Sequence, residues 1–192
     1  MTNKRELPGG IIKEIKGGIS AMEKLASDSF NAAYTEINGL KVQSFEKTPV
    51  PGHEALFATF DNAINKKITN RNLPALYVFE YENATGTRVF DTFSRYKQSQ
   101  GSKPTPAVKI NPPLHSPTLY IGKSETDVVG RLFVHFGYYP KSESGLQLIH
   151  WADEIDLIVN IKIWQFEPEF RNYLKVLEKP LNYEFNPLIG HL

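Results

Sequence analysis

The 192-residue chain contains no cysteine, which excludes a disulfide framework, thiolate zinc sites and cysteine nucleophiles together. It also lacks any run of roughly twenty apolar residues, the length that crosses a bilayer as a helix. The amino terminus, MTNKRELPGGIIKEIKGG, has basic residues but neither an unbroken apolar region nor a small-residue cleavage site. The expectation is therefore a soluble, cytoplasmic protein with no membrane partner. A strong charge of either sign is missing as well, the net value being +1, so the molecule as a whole is no general polyanion binder. No internal repeat or long low-complexity tract interrupts the chain. Apolar residues at 41% and charged residues at 22% suit one domain with its own core.

Two sets of apolar residues in the first third, Ile12, Ile15, Ile19 and Met22, then Leu56, Phe60, Ile64 and Ile68, each fall on one helix face. Gly17 and Gly18 weaken the first set. Between them Asn38-Gly39 signals a turn, followed by a short strand at Leu40 and Val42. PALYVFEY, from Pro74 to Tyr81, reads as a strand of aromatic and branched residues, and TRVFDTF as a second possible one. A proline-, glycine- and lysine-rich excursion, SRYKQSQGSKPTPAVKINPPLHSP, precedes a strand at TLYIG.

A helix should follow, capped by Ser124 or Thr126, with Glu125 and Asp127 near its positive end. Its apolar stripe is Val128, Leu132 and Phe136, and Arg131 and His135, four apart, share an adjacent face. IDLIVNIKIWQF supplies a third core strand. Pro168 suits the first turn of a final helix with Phe170, Tyr173 or Leu174, and Leu177 inward and Glu178 on the rim; Pro180 should kink or end it.

Singly, the polar residues are ordinary: Tyr77 and Tyr120 suit strands, Arg131 a surface ion pair, His135 a hydrogen-bonded helix position and Glu178 a solvated helix face. Gly122 admits two readings, close approach of a phosphate or neighbouring strand, or a turn with unusual backbone angles. Between Thr85 and Arg131 seven basic residues face three acidic ones. That local excess, with Arg88, Arg95, Lys97, Lys103 and Lys109 as its candidate DNA contacts, would attract a phosphate backbone or be a solvated surface.

In chain order, Ala75-Leu76-Tyr77, Tyr120-Ile121-Gly122 with Lys123, Arg131, His135, and Glu178 in LEKPLNYEFNPLIGHL resemble the GIY-YIG nuclease family. The likeness covers about Pro74 to Leu192. The resemblance implies an α+β fold with a small mixed, mainly antiparallel three-stranded sheet flanked by helices. Residues 1–73 would form a helical extension for DNA contact or dimerisation, and 74–192 a catalytic domain with an insertion at 82–117. It implies a restriction-type or defence endonuclease that hydrolyses double-stranded DNA with Mg²⁺ or Mn²⁺, plausibly as a homodimer.

The implied catalytic set is Tyr77, Tyr120, Lys123, Arg131, His135 and Glu178. Glu178 would hold the metal, Arg131 clamp the phosphate, Tyr77 take a proton from the attacking water, His135 orient Tyr77 or the water, and Tyr120 bond a phosphate or support the site. The chain departs from the family pattern in its first tripeptide, which keeps only the tyrosine. More than forty residues separate Tyr77 from Tyr120, and Gly190 stands where an asparagine is usual, with Asn186 nearby. A catalytically inactive nucleic-acid-binding module of the same fold is the alternative, and a protein-interaction domain a third reading.

Overall fold

The computed structural model describes residues 17, 20, 32–45, 58–99, 104–138 and 144–190. Of the expected helix at Ile12 to Met22, Gly17 and Ser20 are described and helical, whereas its apolar residues, together with Leu56 and Lys103, lie outside the described residues. The fold is α+β. Four strands, β1 (Ala33–Lys41), β2 (Ala75–Glu82), β3 (Thr118–Ser124) and β4 (Ile158–Gln165), form one sheet in the order β1-β4-β2-β3. Every neighbouring pair is antiparallel. The three expected core strands are present, and β1 adds a fourth at the edge of β4. The sheet is thus four-stranded and purely antiparallel where a mixed, mainly antiparallel, three-stranded one was expected.

Residues that the sequence reading assigns to an amino-terminal extension share the main core. Ile37, Leu40, Val42, Phe45, Phe60, Ile64 and Ile68 are all buried in one cluster with Tyr77, Phe79 and Ile161. Asn38-Gly39 marks a bulge inside β1 rather than a turn before it. The register slips between Ile37 and Leu40, Gly39 takes φ 70°, and its N–H donates to Asn160 Oδ1 at 2.7 Å. A glycine at positive φ absorbs the extra residue without Cβ strain, so pairing continues beyond it.

Four α-helices of the described residues surround the sheet: α1 (Ala58–Ala63), α2 (Gly86–Gln98), α3 (Val128–Phe136) and α4 (Leu174–Phe185). TRVFDTF lies in α2, not in a strand. Thr85 Oγ1 caps it by accepting from Arg88 N, and Val89 and Phe93, four apart, are its buried face. The cap and that spacing outweigh the strand-like composition. Helix α3 buries Val128, Leu132 and Phe136 as expected, but its cap is Asp127, whose Oδ1 accepts from Gly130 N at 2.9 Å. Arg71 holds that carboxylate at 2.7 Å, while Ser124 Oγ accepts from Asp127 N one turn earlier.

Helix α4 packs its Leu174 and Leu177 against Leu76, on the face of β2 opposite to Tyr77. A 3₁₀ turn, Pro168–Tyr173, leads into it. Pro180 lies inside α4, which runs on to Phe185 instead of ending. The hydrogen bond that proline forfeits would have reached the carbonyl of Val176, and both residues are exposed, so water can satisfy that oxygen. After α4, Leu188 N and Ile189 N donate to Thr118 O and Leu119 O, laying the carboxyl-terminal segment along the outer edge of β3. No helix among the described residues is long and apolar enough to cross a membrane.

The register places Tyr77 opposite Gly122. A Cβ on Gly122 would stand 2.5 Å from Tyr77 Oη and 2.6 Å from Cζ, and Gly122 is not among the positive-φ residues. Of the two readings of this glycine, close approach of a neighbouring strand is the one realised: the phenol crosses β3 through the gap. Gly122→Ala should therefore cost about 1–3 kcal/mol of stability by overpacking. Urea denaturation checks this, and in a Tyr77→Leu background the same substitution should cost less than about 0.5 kcal/mol.

Candidate functional site

The centre of the site is built from three elements far apart in sequence. Strand β2 contributes Tyr77 from its core face, β3 contributes Tyr120 and the Gly122 gap, and α3 contributes Arg131 and His135 one turn apart. Tyr77 and His135 are both completely buried. His135 sits among aromatic rings, with centroids of Tyr120, Phe79 and Tyr77 at 4.9, 5.3 and 5.4 Å.

Hydrogen bonds fix the imidazole's protonation. Leu146 N–H donates to Nδ1 at 3.1 Å, so Nδ1 carries a lone pair. The ring proton is then on Nε2, which donates to Tyr77 Oη at 2.9 Å. The phenol donates its own hydrogen bond to Lys123 O, 3.4 Å away. Burial, followed by the charge of Arg131, pushes the His135 pKa well below its ordinary value. Burial pushes Tyr77 strongly upward, and the Arg131 guanidinium, within hydrogen-bonding reach, opposes this only in part. Tyr120 is raised for the same first reason and opposed by the same arginine. At neutral pH the core of the site is therefore neutral, with one half-buried cation, Arg131, against two phenols.

Two depressions flank this network. One of about 390 Å³ is lined by Lys123, Arg131 and the turn through Thr126. A second, of about 500 Å³, is lined by Tyr120, Glu178, Lys175, Lys179, Tyr183 and Gly190, with Thr105 to Ala107 as a wall. Tyr77 and His135 line neither. Lys123 Nζ pairs with Glu125 at 2.8 Å on the surface, a contact worth at most about 1 kcal/mol.

Glu178 is half-buried, and burial raises its pKa while Lys123 and Lys175 draw it back. Among the described residues its carboxylate accepts no hydrogen bond. It is also the sole carboxylate lining the larger cleft. These features suit a hard cation held by one carboxylate and completed by water and a ligand's oxygens. Among the described residues no group of three His, Asp or Glu side chains could hold a metal by itself.

The four described candidate DNA contacts do not gather into one patch. Arg88 and Arg95 lie on the exposed face of α2, and Arg95 pairs with Glu154 at 2.6 Å. Lys97 Nζ is turned inward, donating to Thr105 Oγ1, Thr105 O and Pro106 O, the last at 2.7 Å. Lys109 Nζ is buried with no hydrogen-bond partner among the described residues, and desolvation lowers its pKa. Gly190 takes φ +111°, which an asparagine would adopt only with strain, and Asn186 is the left-handed cap of α4, outside the cleft lining.

Sequence reading did not single out Lys175, Lys179 and Tyr183. Their four-residue spacing was the available signal, and the expectation that Pro180 kinks or ends the helix obscured the place of Tyr183 in it. Comparison with family models, with characterised proteins and with solved structures gives no match.

The hydrogen-bond pattern has a spectroscopic consequence. His135 should remain the neutral Nε2–H tautomer well below pH 6.5, where an exposed imidazole takes up a proton. Because the unfolded chain then binds the proton that the folded one refuses, stability should fall as pH drops below about 6.5. Imidazole ¹⁵N shifts followed through an acid titration, beside urea midpoints, check both.

Proposed function

We propose that the protein is a metal-dependent DNA endonuclease of GIY-YIG type, hydrolysing phosphodiester bonds in a restriction or defence role. The observation that supports this most is the convergence of Tyr77, Tyr120, Arg131 and His135 on one spot, with the half-buried carboxylate of Glu178 beside Tyr120. Arg131 supplies the fixed positive charge, with forked donors suited to a phosphate oxygen. Glu178 is the residue to hold Mg²⁺ or Mn²⁺, and such an ion, when bound, stabilises phosphate charge and lowers the pKa of water.

Within this reading the two tyrosines take different parts. Tyr120 lines the cleft and can meet a water beside Glu178, which makes it the better candidate to receive a proton. Tyr77, enclosed and hydrogen-bonded to His135, is a positioning residue that sets the height of Arg131 and the ring of Tyr120. His135 acts through Tyr77. Lys123 adds positive potential toward Glu178. A cut through both strands would call for two such sites and so for a homodimer.

The complete burial of Tyr77 favours one alternative, a nucleic-acid-binding module of the same fold without turnover. Purified protein incubated with supercoiled plasmid in Mg²⁺, Mn²⁺ or chelator distinguishes them. Glu178→Gln should retain its fold and lower metal-dependent cleavage by at least about 10²- to 10³-fold, and the rate of the wild type should climb with pH through 9, since a phenol must lose its proton. Equal cleavage by the variant would sink the nuclease assignment; folded wild type that binds DNA and never cuts it would establish the inactive module.

A further inference from the structure

The cleft beside Glu178 has an outer wall that the catalytic reading does not use. On α4, Lys175, Lys179 and Tyr183 repeat at intervals of four, so they form one stripe along the helix. All three line the cleft. Tyr183 is 71% exposed, one of the few large apolar side chains of the described residues that the fold leaves in solvent. Opposite it, the wall at Thr105 and Pro106 is held by three hydrogen bonds from Lys97 Nζ, and Ala107 O accepts from Gly190 N at 3.0 Å. The cleft is thus a preformed slot between a basic, aromatic helix face and a pinned loop.

Its volume of about 500 Å³ falls in the roughly 300–1,000 Å³ range of sites that take small molecules or single groups. A paired duplex does not enter such a slot, whereas one base with its sugar does. An aromatic ring flanked by lysines is the combination that holds unpaired nucleic acid: the ring stacks on a base and the lysines meet adjoining phosphates.

We propose that this cleft binds a locally unpaired nucleotide, with its base stacked on Tyr183 and its flanking phosphates against Lys175 and Lys179. This rests on the nucleic-acid reading above and adds to it a substrate feature: a single-stranded or unpaired position next to Glu178. Lys97 serves the site as a positioning residue, by fixing the far wall, rather than as a DNA ligand.

The test uses full-length protein in chelator, so that nothing is cut, and a short single-stranded oligonucleotide carrying 2-aminopurine. Binding should quench the fluorophore. Tyr183→Ala should weaken affinity about tenfold, with an unchanged melting temperature because the residue is exposed, while Tyr183→Phe keeps both affinity and quenching. Removing Lys175 and Lys179 should lower the salt slope by about 0.7 per lost phosphate contact. The same sequence fully base-paired should bind more weakly than the single strand. Wild-type affinity in Tyr183→Ala, or equal affinity for paired and unpaired oligonucleotides, overturns the proposal. Metal-dependent plasmid cleavage is scored separately. Cleavage with no Tyr183 effect removes this proposal and leaves the nuclease standing; Tyr183-dependent binding without cleavage does the reverse.

Discussion

A buried phenol needs partners for its oxygen, and the way Tyr77 finds them organises this molecule. Its ring can cross β3 only because Gly122 has no side chain. Its oxygen then meets His135, whose tautomer is set by an amide from Leu146, eleven residues further along the chain and on a separate segment. Strand β2, strand β3, helix α3 and the loop at 144–147 are therefore tied by one neutral, low-dielectric chain of hydrogen bonds. Such a network is rigid because each unsatisfied member would bear a desolvation cost of about 1–3 kcal/mol.

That rigidity has a chemical consequence. Arg131 cannot relax into bulk water without leaving two phenols, so its charge stays where β3 and α3 aim it. Preorganised charge is what stabilises a phosphate in transit, and under the nuclease reading this is the main service of the Tyr77–His135 pair. The cleft wall is built on the same plan. Lys97 donates to the chain at Thr105 and Pro106, which converts a cation that composition alone assigns to DNA into a strut. Local charge counts therefore overstate the positive surface around residues 85–131.

Several elements were legible because short-range spacing determines them. The stripe Val128, Leu132, Phe136 and the shared face of Arg131 and His135 follow from helical period, and PALYVFEY and TLYIG follow from β-branched and aromatic composition between turn residues. Misreadings came where a local signal met a non-local partner. Asn38-Gly39 resembles a hairpin turn, yet pairing with β4 makes it a bulge. TRVFDTF has strand composition, yet its four-residue apolar spacing faces the core through Phe93 and Trp151, with ring centroids 5.4 Å apart. Pro180 looks like a stop, yet its forfeited bond falls on the wet side of α4.

By itself, the sequence determined the residue types available for chemistry, the absence of thiol ligands and the helical spacing that pairs Arg131 with His135. Tertiary structure alone decided that Tyr77 is enclosed while Tyr120 faces a cleft, that β1 joins the main sheet, and that Glu178 stands beside Tyr120 from the far side of β3. The reason is that burial and hydrogen-bond partners depend on strand register and on contacts across more than forty residues. A one-residue shift of β3 against β2 would remove Gly122 from Tyr77 and close the gap on which the site is built.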